Sequence, residues 1–221
     1  MTPDIKLLYG IRYDLYDVPE ADPQAPFEAS RNFRIDKNNI APRLGVAWSL
    51  GANRRSVIRA NTGIMYDQVL LAIYEQALIN DGTNRRAAAN FGPTTPGAPA
   101  FPNVLSAGQG AIPNSLFTVS PDFQVARNWQ NNVQFEQQLT DKLAFSVGTS
   151  YVRGYNLPVV TNINPINPVR RLADGRGIYS TAVNANTRRD PRYNVINMVE
   201  SIGESTYKNL TIQLTGRHYS G

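Results

Sequence analysis

Apolar and polar residues alternate with period two along much of the chain, and helical periodicity is nearly absent. Six stretches carry the alternation far enough to predict β-strands. The first runs from Ile5 to Asp17, with Leu7, Tyr9, Ile11, Tyr13 and Leu15 on one face and Lys6, Leu8, Gly10, Arg12, Asp14 and Tyr16 on the other. The second, Pro42 to Leu50, sets Leu44, Val46, Trp48 and Leu50 against Arg43, Gly45, Ala47 and Ser49. The third, Ser56 to Asp67, sets Ile58, Ala60, Thr62, Ile64 and Tyr66 against Val57, Arg59, Asn61, Gly63 and Met65. The fourth, Asn128 to Leu139, is more polar and groups Val133, Phe135 and Leu139 opposite Asn132, Gln134, Glu136 and Gln138. In the fifth, Lys142 to Val152, Leu143, Phe145, Val147, Thr149 and Tyr151 oppose Ala144, Ser146, Gly148 and Ser150. The sixth, Tyr207 to Tyr219, separates Leu210, Ile212 and Leu214 from Asn209, Thr211, Gln213, Thr215 and Arg217.

The connections between these strands are of two kinds. Gly51-Ala52-Asn53-Arg54 joins the second strand to the third, and Thr140-Asp141 joins the fourth to the fifth, as tight hairpin turns. The others, Val18 to Ala41, Gln68 to Arg127 and Arg153 to Thr206, are long and rich in Pro, Gly, Asn and Ala. Loops beyond about 15 residues are uncommon in compact soluble domains. Strict alternation of short turns and long loops is the arrangement of transmembrane β-barrels, with short periplasmic turns and long extracellular loops. The expected fold is therefore all-β: an antiparallel up-and-down transmembrane barrel segment of about six strands, forming an open curved sheet. Six strands are too few to close, since eight is the usual minimum. Parallel pairing and several α-helices are not expected.

Charge placement supports a lipid-facing side. Lys6, Arg12, Asp14, Arg43, Arg59, Glu136 and Arg217 all fall on the less apolar face. Lys208 is the exception, near a rim. An Arg or Lys at the bilayer midplane of a barrel costs about 2–4 kcal/mol, falling to about 0–1 near the interface. The other face is mostly Gly, Ala, Ser, Thr, Asn and Gln, which suits a crowded and partly wet lumen. Tyr9, Tyr13, Trp48, Tyr66 and Tyr151 lie on the lipid side, and Trp48 and Tyr66 sit near strand ends, where aromatic girdles form.

Composition agrees. Of 221 residues 42% are hydrophobic but only 18% are charged, fewer than a soluble domain shows water. The net charge of +5 is scattered, without the basic aromatic stripe of a nucleic-acid surface, so no nucleic-acid partner is expected. There is no cysteine and hence no disulfide or thiol chemistry. The amino terminus, Met1-Thr2-Pro3-Asp4, is not a signal peptide, and no run approaches the apolar length of a membrane helix. Residues 1–221 are read as one partial outer-membrane barrel domain, cut at both ends, with signal peptide, plug and C-terminal strands missing.

Candidate chemistry is sparse. His218, the single histidine, has no partner ligands in sequence, and no metal or cofactor is expected. Gly108-Gln109-Gly110 lacks the lysine and helix of a phosphate loop. Asp14 with Arg12, and Glu136 with Arg59 or Arg43, are expected as lumen ion pairs, and nothing points to an enzyme. Thr187-Arg188-Arg189-Asp190-Pro191-Arg192 is a basic loop cluster, read first as solvated and second as a contact for lipopolysaccharide phosphates or an anionic ligand. Asn209-Leu210-Thr211 matches a glycosylation pattern by chance within a strand.

Ala41-Pro42-Arg43-Leu44-Gly45-Val46-Ala47-Trp48 resembles a recurrent barrel strand of TonB-dependent outer-membrane receptors, in particular the subgroup with a carboxypeptidase-regulatory-like N-terminal domain. Similar segments follow in order: Arg59 to Asp67, Trp129 to Leu139, Phe145 to Gly154, and Ser205 to Leu214. The resemblance implies a barrel of about 22 strands around an N-terminal plug. It further implies uptake of a scarce ligand, with energy relayed from the inner membrane by TonB. The implied partners are outer-membrane lipid and lipopolysaccharide, the remaining barrel and plug, and TonB through the missing N-terminal part. Two other functions stay open: a structural or adhesive outer-membrane barrel without transport, and a soluble β-sandwich binding module.

Overall fold

The computed structural model describes residues 4–83, 102–103 and 114–216. In chain order its elements are β1 (Ile5–Asp14), β2 (Asn39–Leu50), β3 (Ser56–Tyr66), α1 (Leu71–Ile79), β4 (Asn114–Val119), β5 (Arg127–Thr140), β6 (Leu143–Asn162), β7 (Arg170–Arg171), β8 (Gly177–Ile178) and β9 (Tyr193–Gly216). All six expected strands are present, as β1, β2, β3, β5, β6 and β9. They lie side by side in that order, each antiparallel to its neighbour, in one curved sheet. β4 adds a seventh strand beyond β9, and it runs parallel to β9. This pairing was not expected. β7 and β8 form a separate two-residue ribbon.

The register settles the two faces. Leu7, Val46, Ala60, Val133, Thr149 and Leu210 form one continuous cross-strand row. Ile5, Trp48, Ile58, Phe135, Val147 and Ile212 form the next. The row Lys6, Ala47, Arg59, Gln134, Gly148 and Thr211 lies on the opposite face. Leu210, Ile212 and Leu214 thus share a face with Leu143, Phe145 and Val147, and Arg43, Arg59 and Glu136 lie on the other, as the alternation predicts. Among the described residues no second sheet covers the apolar face, which disfavours a sandwich. Leu210, Ile212 and Leu214 are 69%, 65% and 64% exposed.

β6 and β9 run far past the expected limits. A transmembrane strand needs about 9–11 residues, whereas β6 has 20 and β9 has 24. The pair therefore crosses the membrane and continues beyond it on the long-loop side. Register shifts lie between Gly154 and Leu157 and between Leu157 and Val159, which bends the hairpin as it leaves the wall. Gly203 faces this irregularity, and a Cβ there would come within 2.9 Å of both the Leu157 Cβ and its carbonyl oxygen. Asn156 takes up the bend with φ +57°, a conformation asparagine tolerates better than most residues.

The buried core lies beyond the wall. One cluster joins Phe33 from the β1–β2 loop, Tyr74 and Ala77 of α1, Val119 of β4, Phe123, and Val199 of β9. A second joins Leu116, Tyr193 and Ile196, with Phe27 and Ile163 packed against them. All three long connections contribute to this cap. These long connections, rich in Pro, Gly, Asn and Ala, hold the best-packed part of the described chain. Ring contacts tie them together: Phe33 meets Tyr74 edge-on at 5.2 Å, and Phe27 meets Tyr193 at 6.4 Å. Buried Ser30 donates its hydroxyl hydrogen to Thr118 Oγ1 at 3.0 Å.

Candidate functional site

Two surfaces are built for contact: the lumen wall and the cap above it. Along the lumen wall the small Gly, Ser and Thr residues leave room for amide side chains. Asn132 Nδ2 donates to Asn61 Oδ1 at 2.8 Å, and the Ser150 backbone N–H donates to Asn209 Oδ1 at 2.8 Å. The Asn209 side chain is thus engaged with the sheet in the lumen, where a glycosylation site has no role. Asn61, Asn132, Gln134, Ser150, Asn209 and Gln213 line an open groove of about 380 Å³. Its chemistry is that of neutral donors and acceptors.

The lumen charges pair as the sequence suggests. Arg59 bridges Glu136, and Gln134 Nε2 donates to Glu136 Oε1 at 3.1 Å. Arg43, the other candidate partner, is not part of this pair. Arg12 Nε donates to Asp14 Oδ1 at 2.7 Å. Among the described residues Lys6 and Arg43 make no ion pair, so the lumen wall carries excess positive charge.

The cap is held by polar side chains that periodicity does not mark. Asn164 is fully buried and ties the β6 end to the chain before β9. Its Nδ2 donates to the carbonyls of Asp190 (3.1 Å) and Tyr193 (2.7 Å), and its Oδ1 accepts from the Asp190 N–H (2.9 Å). Buried Asp36 accepts the Val125 N–H at 2.9 Å, which ties the first long loop to the start of β5. Tyr74 lies near this carboxylate. Burial chiefly, and the negative charge of Asp36 in addition, raise its hydroxyl above the ordinary tyrosine range.

The basic loop cluster divides under this geometry. Arg188 is only 6% exposed and donates to the carbonyls of Asn194, Ser180 and Thr187, so it is a structural clamp. Arg192 is bound by Asp190 at 2.6 Å. Hydrogen bonding to Arg192 is the main cause that holds the Asp190 carboxyl below its usual range. Arg189 is exposed and makes no ion pair among the described residues, and Arg170 and Arg171 are exposed as well. The solvated reading thus fits Arg189 but not Arg188. His218 and Gly108-Gln109-Gly110 lie outside the described residues. Among the described residues no group of three or more His, Cys, Asp or Glu could hold a metal ion.

Sequence reasoning missed Arg127 and Arg153, because it began the fourth strand at Asn128 and ended the fifth at Val152. The parity of Tyr151 continued through Arg153 would have placed that arginine outside.

Comparison with known proteins agrees with this architecture. A solved structure titled as the outer membrane transporter YddB from Escherichia coli superposes with a TM-score of 0.54 at 12% identity, over 96% of this chain and 19% of that one. A structure of a double mutant of the Serratia marcescens hemophore receptor HasR, in complex with its hemophore HasA and heme, gives a TM-score of 0.41 at 10% identity, over 95% of this chain and 26% of that one. The chain therefore spans about a fifth to a quarter of the length of these structures. No curated protein sequence matches it. The model of the outer membrane beta barrel domain family matches residues 1–221, and with a curved antiparallel wall, an apolar outer band and a polar lumen in place, the chain belongs to that family of outer-membrane proteins.

Proposed function

We propose that this chain is the wall segment and part of the outer vestibule of a TonB-dependent receptor that imports a scarce ligand, in the subgroup carrying a carboxypeptidase-regulatory-like N-terminal domain. The observation that carries this reading is the cap. Three connections share two buried clusters on top of two wall strands that continue past the membrane band. A barrel that only spans the membrane has no use for so ordered a mouth, whereas a receptor needs a preformed surface beside its lumen. The polar, net-basic lumen wall suits contact with a hydrated plug. Its amide groove offers hydrogen bonds in place of catalysis, and the role is binding and passage without an enzymatic step.

The test uses cells carrying the intact protein in its natural setting. Components of spent medium are compared by mass spectrometry between cells with and without the protein, each with and without functional TonB. A component depleted only when both are present is the expected result. No depletion at all would assign the barrel a structural or adhesive role, and depletion that does not depend on TonB would overturn the TonB-dependent reading.

A further inference from the structure

The outward face of the wall is almost free of charge, and its exceptions cluster. Among the described residues of the outward rows, the charged side chains are Arg127, Arg153, Glu204 and Lys208. All four lie on the adjacent strands β5, β6 and β9. Tyr151 pairs across with Lys208, Arg153 with Trp129 and Thr206, and Arg127 with Tyr66 and Tyr155.

The height of the cluster is significant. From Leu143 to Arg153, β6 climbs roughly 34 Å along its length, or roughly 26 Å along the membrane normal at a tilt of about 40°. The apolar band of such barrels is about 25 Å tall. Arg153 therefore stands at the outer headgroup level, with Lys208 one row below and Arg127 one row above. Beneath them Val133, Phe135, Val147, Leu210 and Ile212 form the uncharged band.

Aromatic rings hold the cations in place. The guanidinium carbons of Arg127 and Arg153 lie 5.7 and 5.1 Å from the centroid of one ring, Tyr155. Lys208 Nζ lies 5.8 Å from the ring of Tyr151, which meets Trp129 edge-on at 6.2 Å. Arg153 Nη2 donates to Glu204 at 2.9 Å, while its Nε is enclosed without a hydrogen-bond partner. Interfacial cost alone explains why charge is tolerated at this level. It does not explain why three like charges gather on three adjacent strands, Arg127 and Arg153 over the one ring of Tyr155 and Lys208 over that of Tyr151, where they repel one another.

We propose that Arg127, Arg153 and Lys208, framed by Trp129, Tyr151 and Tyr155, form a binding site for the phosphate monoester of a glycolipid in the outer leaflet. Three cations and one carboxylate leave a net charge of +2. A phosphate monoester carries about −1.5 to −2 at neutral pH and accepts paired hydrogen bonds from guanidinium, whereas a lipid phosphodiester carries a single charge. The site rests on the outer-membrane location and owes nothing to transport, so it stands whether or not the barrel imports a ligand.

The test reconstitutes the intact protein in phosphatidylcholine nanodiscs with a trace of bis-phosphorylated lipid A and counts retained lipid by native mass spectrometry. Lipid A is expected to be held at least about tenfold more strongly than its dephosphorylated form or phosphatidylglycerol. The variant Arg127→Gln/Arg153→Gln/Lys208→Gln should lose that preference while its migration stays heat-modifiable. Arg127→Lys/Arg153→Lys should keep most of it. Arg170→Gln/Arg171→Gln/Arg189→Gln, which removes equal charge from the cap, should not alter it. If the triple variant fails to assemble, Lys208→Glu decides, and at least about a fivefold loss is expected. Retention within about twofold of the parent in either folded variant would overturn the proposal. Equal loss in the cap variant, equal retention of phosphatidylglycerol, or displacement of lipid A by millimolar inorganic phosphate would each do the same.

Discussion

Asn164 shows how much of the cap depends on single polar side chains. With no solvent contact, it supplies two donors and one acceptor to backbone groups that would otherwise be buried and unpaired. Each such group left without a partner costs about 1–3 kcal/mol. Asn164→Ala should therefore lower the local stability of the 160–195 region by about 3 kcal/mol or more and leave the wall intact. Native-state hydrogen exchange is the measurement: amides near Tyr193 and Ile196 should lose protection, while those of Val147 and Ile212 should not. Protection unchanged at Tyr193 would mean that the bonds are replaceable by water. Nothing in the sequence separates this asparagine from its neighbours Asn162 and Asn167, since all three read as loop residues. The difference is made by packing against β9 from another part of the chain.

At the scale of elements, legibility follows amphipathicity. The wall halves of the strands were readable because one face meets lipid and the other the lumen, which enforces period two. The upper part of β9 was not. Ile196 faces Leu116 in one cluster and Val199 faces Val119 in the other, so the strand is buried on both sides and alternation is lost. β4 was missed for the same reason and for its brevity. α1 was missed because no side chain caps its start and its apolar residues nearly encircle it. Along β9 the lipid-facing half should then be sensitive to charge. Ile212→Lys, on a row well inside the apolar band, should weaken insertion by about 2–4 kcal/mol. Refolding titrations into lipid vesicles would measure it, and Thr211→Lys, on the lumen face beside it, should cost far less. Equal costs for the two would contradict the assignment of faces.

At the scale of the whole molecule, the described residues leave the sheet two free edges and one bare face. Among the described residues β1 pairs only with β2, and below the cap β9 pairs only with β6. β4 occupies the other edge of β9 only along its top, at Tyr193 to Val199. Unpaired edges beside a broad exposed apolar band template association. This chain made alone in water should sediment as aggregates and need detergent for dispersal. A monomer that unfolds cooperatively in plain buffer would require the band to be covered from within. The centre of the cap has the opposite character, since the apolar side chains of its two clusters are already buried. Because its two clusters draw residues from all three long connections, none of these connections is a separable module. A hybrid receptor that received only one foreign loop would inherit half of each interlocking contact, so new ligand preferences should pass between related barrels by transplanting the three loops with the upper hairpin as a single cassette.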